Sequence, residues 1–177
     1  MNRIAGVVRA RRPKRLPVVL TGEEVEAVLA GLEGEPLLVC MVLYGSGLKL
    51  LEGLQLRVKD LDFGRGEILV RDGKGQKDRV TMLPTALYEP LQEHRRLVRK
   101  QHEADLQAGR GRVPLPYALA RKYPNADREW GWQWVFPATT HYLHRKTGIR
   151  HRHHLHESVI QKAVREAARH SFATQLL

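Results

Sequence analysis

The chain has 177 residues and carries 30 Lys and Arg against 19 Asp and Glu, a formal net charge of +11 before its nine His are counted. This length is enough for one folded domain with its own core. Hydrophobic residues make up 42%, the mean hydropathy is −0.41, and no apolar run approaches the roughly 18 residues of a membrane span, which excludes a transmembrane protein.

The charge is unevenly distributed along the chain. Residues 1–20 carry six basic and no acidic side chains, 21–70 four and nine, 71–122 twelve and six, and 123–177 eight and four. An acidic segment within a basic chain predicts that the positive charge lies on one surface, as in a protein that binds a polyanion. A solvated basic surface without a partner is the alternative.

The first 20 residues are predicted to form an exposed basic lead-in or linker. Their segment RARRPKRLP has two prolines and no periodic apolar face. We expect Arg12, Lys14 and Arg15 to lie along a phosphate backbone. The segment lacks the apolar stretch of a secretory signal, and the single cysteine, Cys40, lies in the apolar run LLVCMVL, so we expect a core cysteine in a cytoplasmic protein.

Three short, mutually packed helices are predicted next. The first begins at Thr21, which forms a capping box with Glu24. Its apolar stripe consists of Val25, Val28, Leu29 and Leu32. The second, PLLVCMVLYGSG, is apolar almost all round and is therefore predicted to be buried and to end at its glycines. The third covers residues 48–56.

A β-hairpin and a long helix follow. The segment EILVRDGKGQKDRVTML alternates apolar and polar residues on both sides of its glycines, which predicts a hairpin with Lys74 at the tip. The helix covers residues 84–107. Its predicted core side consists of Leu87, Leu91, Leu97 and Val98, and its charged face of Arg95, Arg96, Arg99 and Lys100.

Residues 115–157 differ in composition from the rest, because they hold all three Trp and six of the nine His. Aromatic residues interleaved with cations are typical of surfaces that stack nucleic-acid bases. Trp134 and Phe136 alternate in WVFP and are predicted instead to form a small aromatic core. A last helix is predicted from Glu157 to the end of the chain.

Five segments together resemble the catalytic domain of tyrosine site-specific recombinases, specifically the integron integrases. They are LPVVLTGEEVEAVL, YGSGLKLLEGLQLRVKDLDF, ILVRDGKGQKDRVTMLP, the pair LPYALARKYPNADREWGWQWVFP and RHHLHESVIQKAVREA, and RHSFATQLL. The resemblance implies an α+β, mainly α fold over residues 21–177, a helical bundle with a small antiparallel hairpin or sheet, truncated at the C-terminus.

The resemblance also implies phosphoryl transfer on DNA in the bacterial cytoplasm. In this family a tyrosine attacks the scissile phosphate and no metal or nucleotide cofactor takes part. Arginines meet the charge that develops on the phosphate, and a lysine or histidine protonates the leaving oxygen. The implied partners are folded single-stranded or double-stranded DNA sites and other recombinase protomers.

The family's catalytic positions match this chain in part. Lys49 in SGLKLLEG stands at the first arginine, so the charge is kept without the bidentate fork. Lys74 resembles the general acid, and Lys77 and Arg79 are expected to contact phosphates or solvent. Arg169 in ARHSFAT stands at the second arginine.

Glu166 stands where the family pattern has a histidine, because the KAVREA-like helix is fused directly to the arginine helix. This is interpreted as an internal deletion, and a carboxylate there would repel the phosphate. The sequence also ends at Leu177 before the stretch that carries the family's nucleophilic tyrosine. We therefore expect no cleavage by this chain alone.

Residues 115–157 resemble the inserted element by which integron integrases recognise bases flipped out of a folded single strand. Trp132 is expected to be a stacking platform, and His153 and His154 to contact an extrahelical base. A metal site in HRHHLH and a solvated histidine loop are the alternatives.

Three functional hypotheses follow. The first is a degenerate integron-type recombinase domain that binds DNA and does not cut it. The second is an active nuclease or topoisomerase-like enzyme that uses another tyrosine or works with a second protomer. The third is a non-functional remnant that folds poorly, or a basic nucleic-acid-binding module without catalysis.

Overall fold

The computed structural model describes residues 19–71, 77–116, 119–145 and 147–174, with residues 172–174 described by their backbone only. The helices in these ranges are α1 (Gly22–Ala30), α2 (Gly34–Ser46), α3 (Leu50–Leu54), α4 (Tyr88–Gln107), α5 (Leu119–Lys122) and α6 (Glu157–Thr174). The strands are β1 (Leu61–Asp62), β2 (Glu67–Val70), β3 (Arg79–Met82), β4 (Pro137–Leu143) and β5 (Arg150–His154). The predicted contacts of Arg12, Lys14, Arg15 and Lys74 lie outside the described residues.

The first helices begin and end largely as predicted. Thr21 and Glu24 form the expected capping box, because each side chain accepts the other residue's backbone N–H, at 3.2 and 2.8 Å. Helix α2 ends at Gly47, whose φ of 63° lies in the left-handed region that favours glycine. Helix α3 is shorter than predicted, since regular helix covers only five residues.

The main core lies between α2, the first sheet, α4 and the segment before β4. Its fully buried side chains include Leu54, Ile68, Leu91, Val135 and Phe136. Trp134 and Phe136 are both buried, as predicted, but Phe136 belongs to this main core, so the prediction of a separate aromatic core is wrong. A smaller cluster joins α1 to α6 through Val28, Leu32 and Ala167.

Two antiparallel sheets flank the helices. Strands β1, β2 and β3 form the first, and the β2–β3 pairing, with Val70 opposite Arg79, confirms the predicted hairpin. Strands β4 and β5 form the second, with an irregularity in register between Pro137 and His141. The predicted α+β fold, mainly helical with small antiparallel sheets, is therefore confirmed.

The predicted faces of α4 need two corrections. Leu91 and Val98 are buried, but Leu97 is 57% exposed, so its assignment to the core is wrong. It lies about 100° around the helix from Val98 and misses the buried stripe that continues to His102 and Asp105. Arg95 is half-buried instead of fully on the solvent face.

Helix α6 continues without a break through the fused segment. Ala167 packs against the α1 cluster, and Ser171 Oγ donates to the carbonyl of Ala27 on α1 at 2.9 Å. Glu166 and Arg169 are exposed on the same helix. Within the described parts of the chain, no helix is both long and apolar enough to cross a membrane.

Candidate nucleic-acid interface

Glu52 connects two of the predicted site residues. Its Oε2 accepts the backbone N–H of Lys49 at 2.8 Å and a guanidinium N–H of Arg79 at 2.9 Å. The Lys49 side chain itself is exposed at the start of α3. One carboxylate therefore fixes the beginning of α3 beside strand β3, a role of Glu52 that the sequence analysis did not predict.

Arg57 is a buried arginine that the sequence analysis missed. Its Nη1 donates to the carbonyl of Trp132 and its Nη2 to that of Pro114, both at 2.7 Å, and its guanidinium carbon lies 3.2 Å from the ring centroid of Trp134. Burial lowers the pKa of Arg57 to about 9, with Asp60 opposing the shift. The available signal was its place between two apolar residues that the fold buries.

Asp60 joins this arginine to the hairpin. It accepts the backbone N–H of Arg57 at 2.9 Å and the Nε–H of Arg71 at 2.7 Å. Arg71 directly follows β2 and is the last described residue before the segment that contains Lys74. The base of the hairpin is thus attached to the same 3-10 turn, Val58–Asp60, that follows the buried guanidinium.

The two histidines predicted to contact a base lie in different environments. His153 is exposed, and its ring centroid lies 5.8 Å from that of Trp134 and 4.0 Å from that of His154. His154 is 8% exposed, meets Trp134 edge to face, and has its Nδ1 2.8 Å from the carbonyl of Leu155. His153 is therefore presented to solvent while His154 packs beneath it.

Trp132 is half-buried and one face of its ring is occupied. Lys59 Nζ lies 2.8 Å from the ring centroid. Burial and the nearby Arg71 lower the pKa of Lys59. A base that stacks on Trp132 would have to use the face that Lys59 leaves open, or displace the ammonium group.

Several of these groups line one cavity of about 280 Å³, which we call the insert pocket. One wall comes from α3, the turn after it and the residue that follows β2, and includes Glu52, Arg57 and Arg71. The other comes from residues 114–116 and from Trp132, Trp134, His153 and His154. The fold thus brings these tryptophans and histidines against the base of the β2–β3 hairpin.

The remaining predicted site residues lie elsewhere on the surface. Lys77 is exposed beside the hairpin segment that lies outside the described residues. Glu166 and Arg169 are not among the described residues that line the insert pocket. Glu166 lies 4.0 Å from Lys162 on its own helix. Convergence of Lys49, Lys74 and Arg169 on one phosphate stays a prediction.

The histidine-rich segment HRHHLH does not form a metal site with the residues that the structure describes. Across residues 19–71, 77–116, 119–145 and 147–174, no group of three or more His, Cys, Asp or Glu is placed to hold a metal ion. The histidines of HRHHLH instead contact rings and backbone carbonyls.

A buried ion pair attaches the second hairpin to α4. Arg152 donates from Nε and Nη2 to one oxygen of Asp105, at 2.9 and 2.6 Å, and from Nη1 to the carbonyl of Thr139 at 3.0 Å. His141 Nε2 lies 3.3 Å from the same carboxylate oxygen. Arg152 therefore holds the irregular part of β4 and the strand that presents His153.

Acid should destabilise the protein, because burial lowers the pKa of several histidines. These are His94, His102, His141, His151 and His154. Below the ordinary histidine pKa of 6.5, the unfolded chain binds protons that the folded chain excludes. The contribution of these neutral histidines to the free energy of unfolding is therefore complete above pH 6.5 and declines as the pH falls. Urea unfolding at about pH 7.5 and about pH 5.5 measures the loss. His154→Gln should reduce the difference, and equal stability at both values would contradict the prediction.

Comparison with solved structures defines the class of fold. A XerA recombinase crystal structure superposes with a TM-score of 0.51 at 18% identity, covering 93% of this chain and 46% of that chain. At this identity the likeness establishes the fold alone, a mainly helical fold with small antiparallel sheets that this chain shares with part of that recombinase.

Sequence comparison establishes the family. The model of the phage integrase family matches residues 18–177, and the chain belongs to that family, the tyrosine recombinases. An integrase/recombinase of Escherichia coli is 46% identical over 183 aligned residues, covering 96% of this chain and 54% of the relative. The XerA tyrosine recombinase of Thermococcus onnurineus is 41% identical over 85 residues, 46% of this chain and 30% of the relative. The chain spans about half the length of the first of these.

Proposed function

We propose that this chain is the DNA-binding part of an integron-type recombinase catalytic domain, that it holds a folded single-stranded recombination site, and that it does not cleave DNA alone. The insert pocket carries the proposal, because it places an exposed histidine and two tryptophans against the base of a basic hairpin. Other protomers of the same family are the proposed protein partners.

The two walls of the pocket suit two parts of a nucleotide. Arg71 lines the hairpin wall of the pocket, and the exposed cations Lys77 and Arg79 lie on the hairpin outside the pocket, where a phosphate backbone would pass. His153 and the open face of Trp132 lie on the other side, where an unstacked base could pack. A base extruded from a hairpin stem would expose the faces that these rings need.

The proposed loss of cleavage follows from two positions within the chain. Lys49 offers a point charge where the resemblance expects the planar fork of arginine. Removing one oriented donor of this kind costs on the order of 10²-fold or more in rate. Glu166 is exposed on an unbroken α6, so its carboxylate would face any phosphate bound at that surface.

The inserted element's role can be tested with two DNA hairpins that differ only in their extrahelical bases. The full-length chain should bind the hairpin with extrahelical bases more tightly, and His153→Ala should reduce that preference by about 5- to 150-fold, the range of one stacked base. His156→Ala is the matched control, because His156 is exposed on the same segment and contacts Ser158 instead of the pocket. Fluorescence anisotropy measures the affinities, and equal binding of the two hairpins by the wild-type chain would contradict the proposal.

The proposed absence of cleavage has its own test. A folded DNA site with a nick next to the scissile phosphate traps any covalent protein–DNA adduct, because the released fragment diffuses away. We expect no adduct on denaturing gels. An adduct would instead support the second hypothesis, an enzyme that recruits another tyrosine or a second protomer.

A further inference from the structure

A second cavity, which we call the arginine pocket, lies on α4 away from the residues described above. It has a volume of about 200 Å³ and is lined by Gln92, Arg95, Arg96, Arg99 and Trp130. The four α4 residues follow the spacing i, i+3, i+4 and i+7, so they share one face of the helix. It shares no described lining residue with the insert pocket. The two pockets are neighbours, however, because Trp130 and Trp132 lie at the two ends of one 3-10 turn.

Arg95 is held in place without a compensating carboxylate. Its guanidinium carbon lies 5.0 Å from the ring centroid of Phe63, and its buried Nε forms no hydrogen bond with any residue that the structure describes. Burial and the neighbouring Arg99 lower the pKa of Arg95. Because Arg95 lines the pocket, an anion bound there by its remaining guanidinium N–H groups would supply the counter-charge that the described residues do not.

The other two arginines of the pocket are each paired with one glutamate. Arg96 pairs with Glu93 at 2.8 Å and Arg99 with Glu103 at 3.1 Å, both on the exposed surface of α4. Exposed pairs of this kind are weak, so the guanidinium groups can turn to a better acceptor at low cost. A phosphate, which accepts two parallel N–H bonds from one guanidinium, is such an acceptor.

Trp130 adds an aromatic surface to the cations. Its ring packs on His102 with centroids 6.0 Å apart, and the guanidinium carbon of Arg99 lies 5.8 Å from its centroid. An indole beside arginines can stack on a nucleic-acid base, which an acidic peptide does not exploit. The chain's net charge of +11 favours the same class of ligand.

We propose that Arg95, Arg96, Arg99 and Trp130 form a second site for single-stranded nucleic acid, in which the guanidinium groups bind phosphate and the indole stacks on a base. This proposal rests on the proposed function in one respect, the choice of nucleic acid as the polymer that is bound. Two neighbouring tryptophans, Trp130 and Trp132, then serve two separate pockets, so a strand that enters the insert pocket can continue along α4.

The test uses the full chain and a labelled oligothymidylate that has no hairpin. The double variant Arg95→Gln/Arg99→Gln should weaken binding by about tenfold or more, since two charge-assisted contacts are lost. The salt dependence of log K should become shallower by about 1.4, from about 0.7 for each phosphate contact on a single strand. Lys100→Gln is the control, because it removes one exposed charge from α4 outside the pocket. An unchanged affinity of the double variant, with folding intact by circular dichroism, would overturn the proposal.

Competition identifies the ligand and separates this proposal from the first. Inorganic phosphate and thymidine monophosphate should displace the oligonucleotide only weakly, and poly-glutamate should do so less well than an unlabelled strand. Displacement by poly-glutamate at equal charge would overturn the assignment to nucleic acid, and tight binding of the free monophosphate would overturn the assignment to a strand. The double variant should still prefer the hairpin with extrahelical bases. Failure of the wild-type chain to bind any oligonucleotide contradicts the proposed function itself.

Discussion

Arg152→Ala should lower the free energy of unfolding by about 3 to 5 kcal/mol, the range for breaking a buried ion pair by removing one partner. The alanine leaves the carboxylate of Asp105 buried, with His141 as its nearest described neighbour. It also removes a donor to the carbonyl of Thr139. Urea unfolding followed by circular dichroism measures the change.

A double-mutant cycle separates the pair from the packing around it. Asp105→Asn combined with Arg152→Ala removes both charges, and the double variant should be more stable than the sum of the two single losses predicts. A loss below about 1 kcal/mol for Arg152→Ala would show that water reaches the pair. The hairpin β4–β5 would then be held mainly by the bonds between its own strands.

Arg57→Met should cost about 2 to 6 kcal/mol and abolish the preference for extrahelical bases. Each of the two carbonyls that Arg57 satisfies, those of Trp132 and Pro114, loses this donor in a partly buried position, at about 1 to 3 kcal/mol each. The same two bonds join α3 and its following turn to the far wall of the insert pocket. Loss of the bonds should therefore open the pocket as well as destabilise the fold.

Two further variants make this result interpretable. Arg57→Lys keeps a cation over Trp134 but cannot donate in two fixed directions, so it should recover part of the stability and little of the base preference. Arg65→Met, the matched control, changes an exposed arginine outside the pocket and should alter neither stability nor preference by much. If Arg57→Met retained the full preference at a temperature where it is folded, the insert pocket would not be the base-binding site.

The sequence predicted the features that depend on neighbouring residues. The capping box at Thr21 and the hairpin around Lys74 follow from local spacing, and both elements form where expected. The uninterrupted α6 follows from good helix formers on both sides of Glu166. The family and the α+β fold were predicted from motifs spread along the chain and are confirmed.

The features that the sequence did not predict depend on distant partners. The hydrogen-bond acceptors of the buried Arg57 are carbonyls 57 and 75 residues away. Partners at such distances in the sequence cannot be predicted from the residues next to Arg57. Leu97 was assigned to the core because it is apolar, whereas the packing of α4 determines which apolar residues are covered. The different exposure of His153 and His154 depends on where the ring of Trp134 lies between them.

The bond between Ser171 on α6 and Ala27 on α1 spans 144 residues and has a consequence for biosynthesis. During translation, the apolar stripe of α1 leaves the ribosome long before the helix that covers it. At about 5 to 20 residues per second, the interval is roughly 7 to 30 seconds. For that time Val28 and Leu32 lack their final partner, Ala167. We therefore expect the nascent chain to expose this apolar segment to chaperones during that interval, and slower translation to lengthen the exposure.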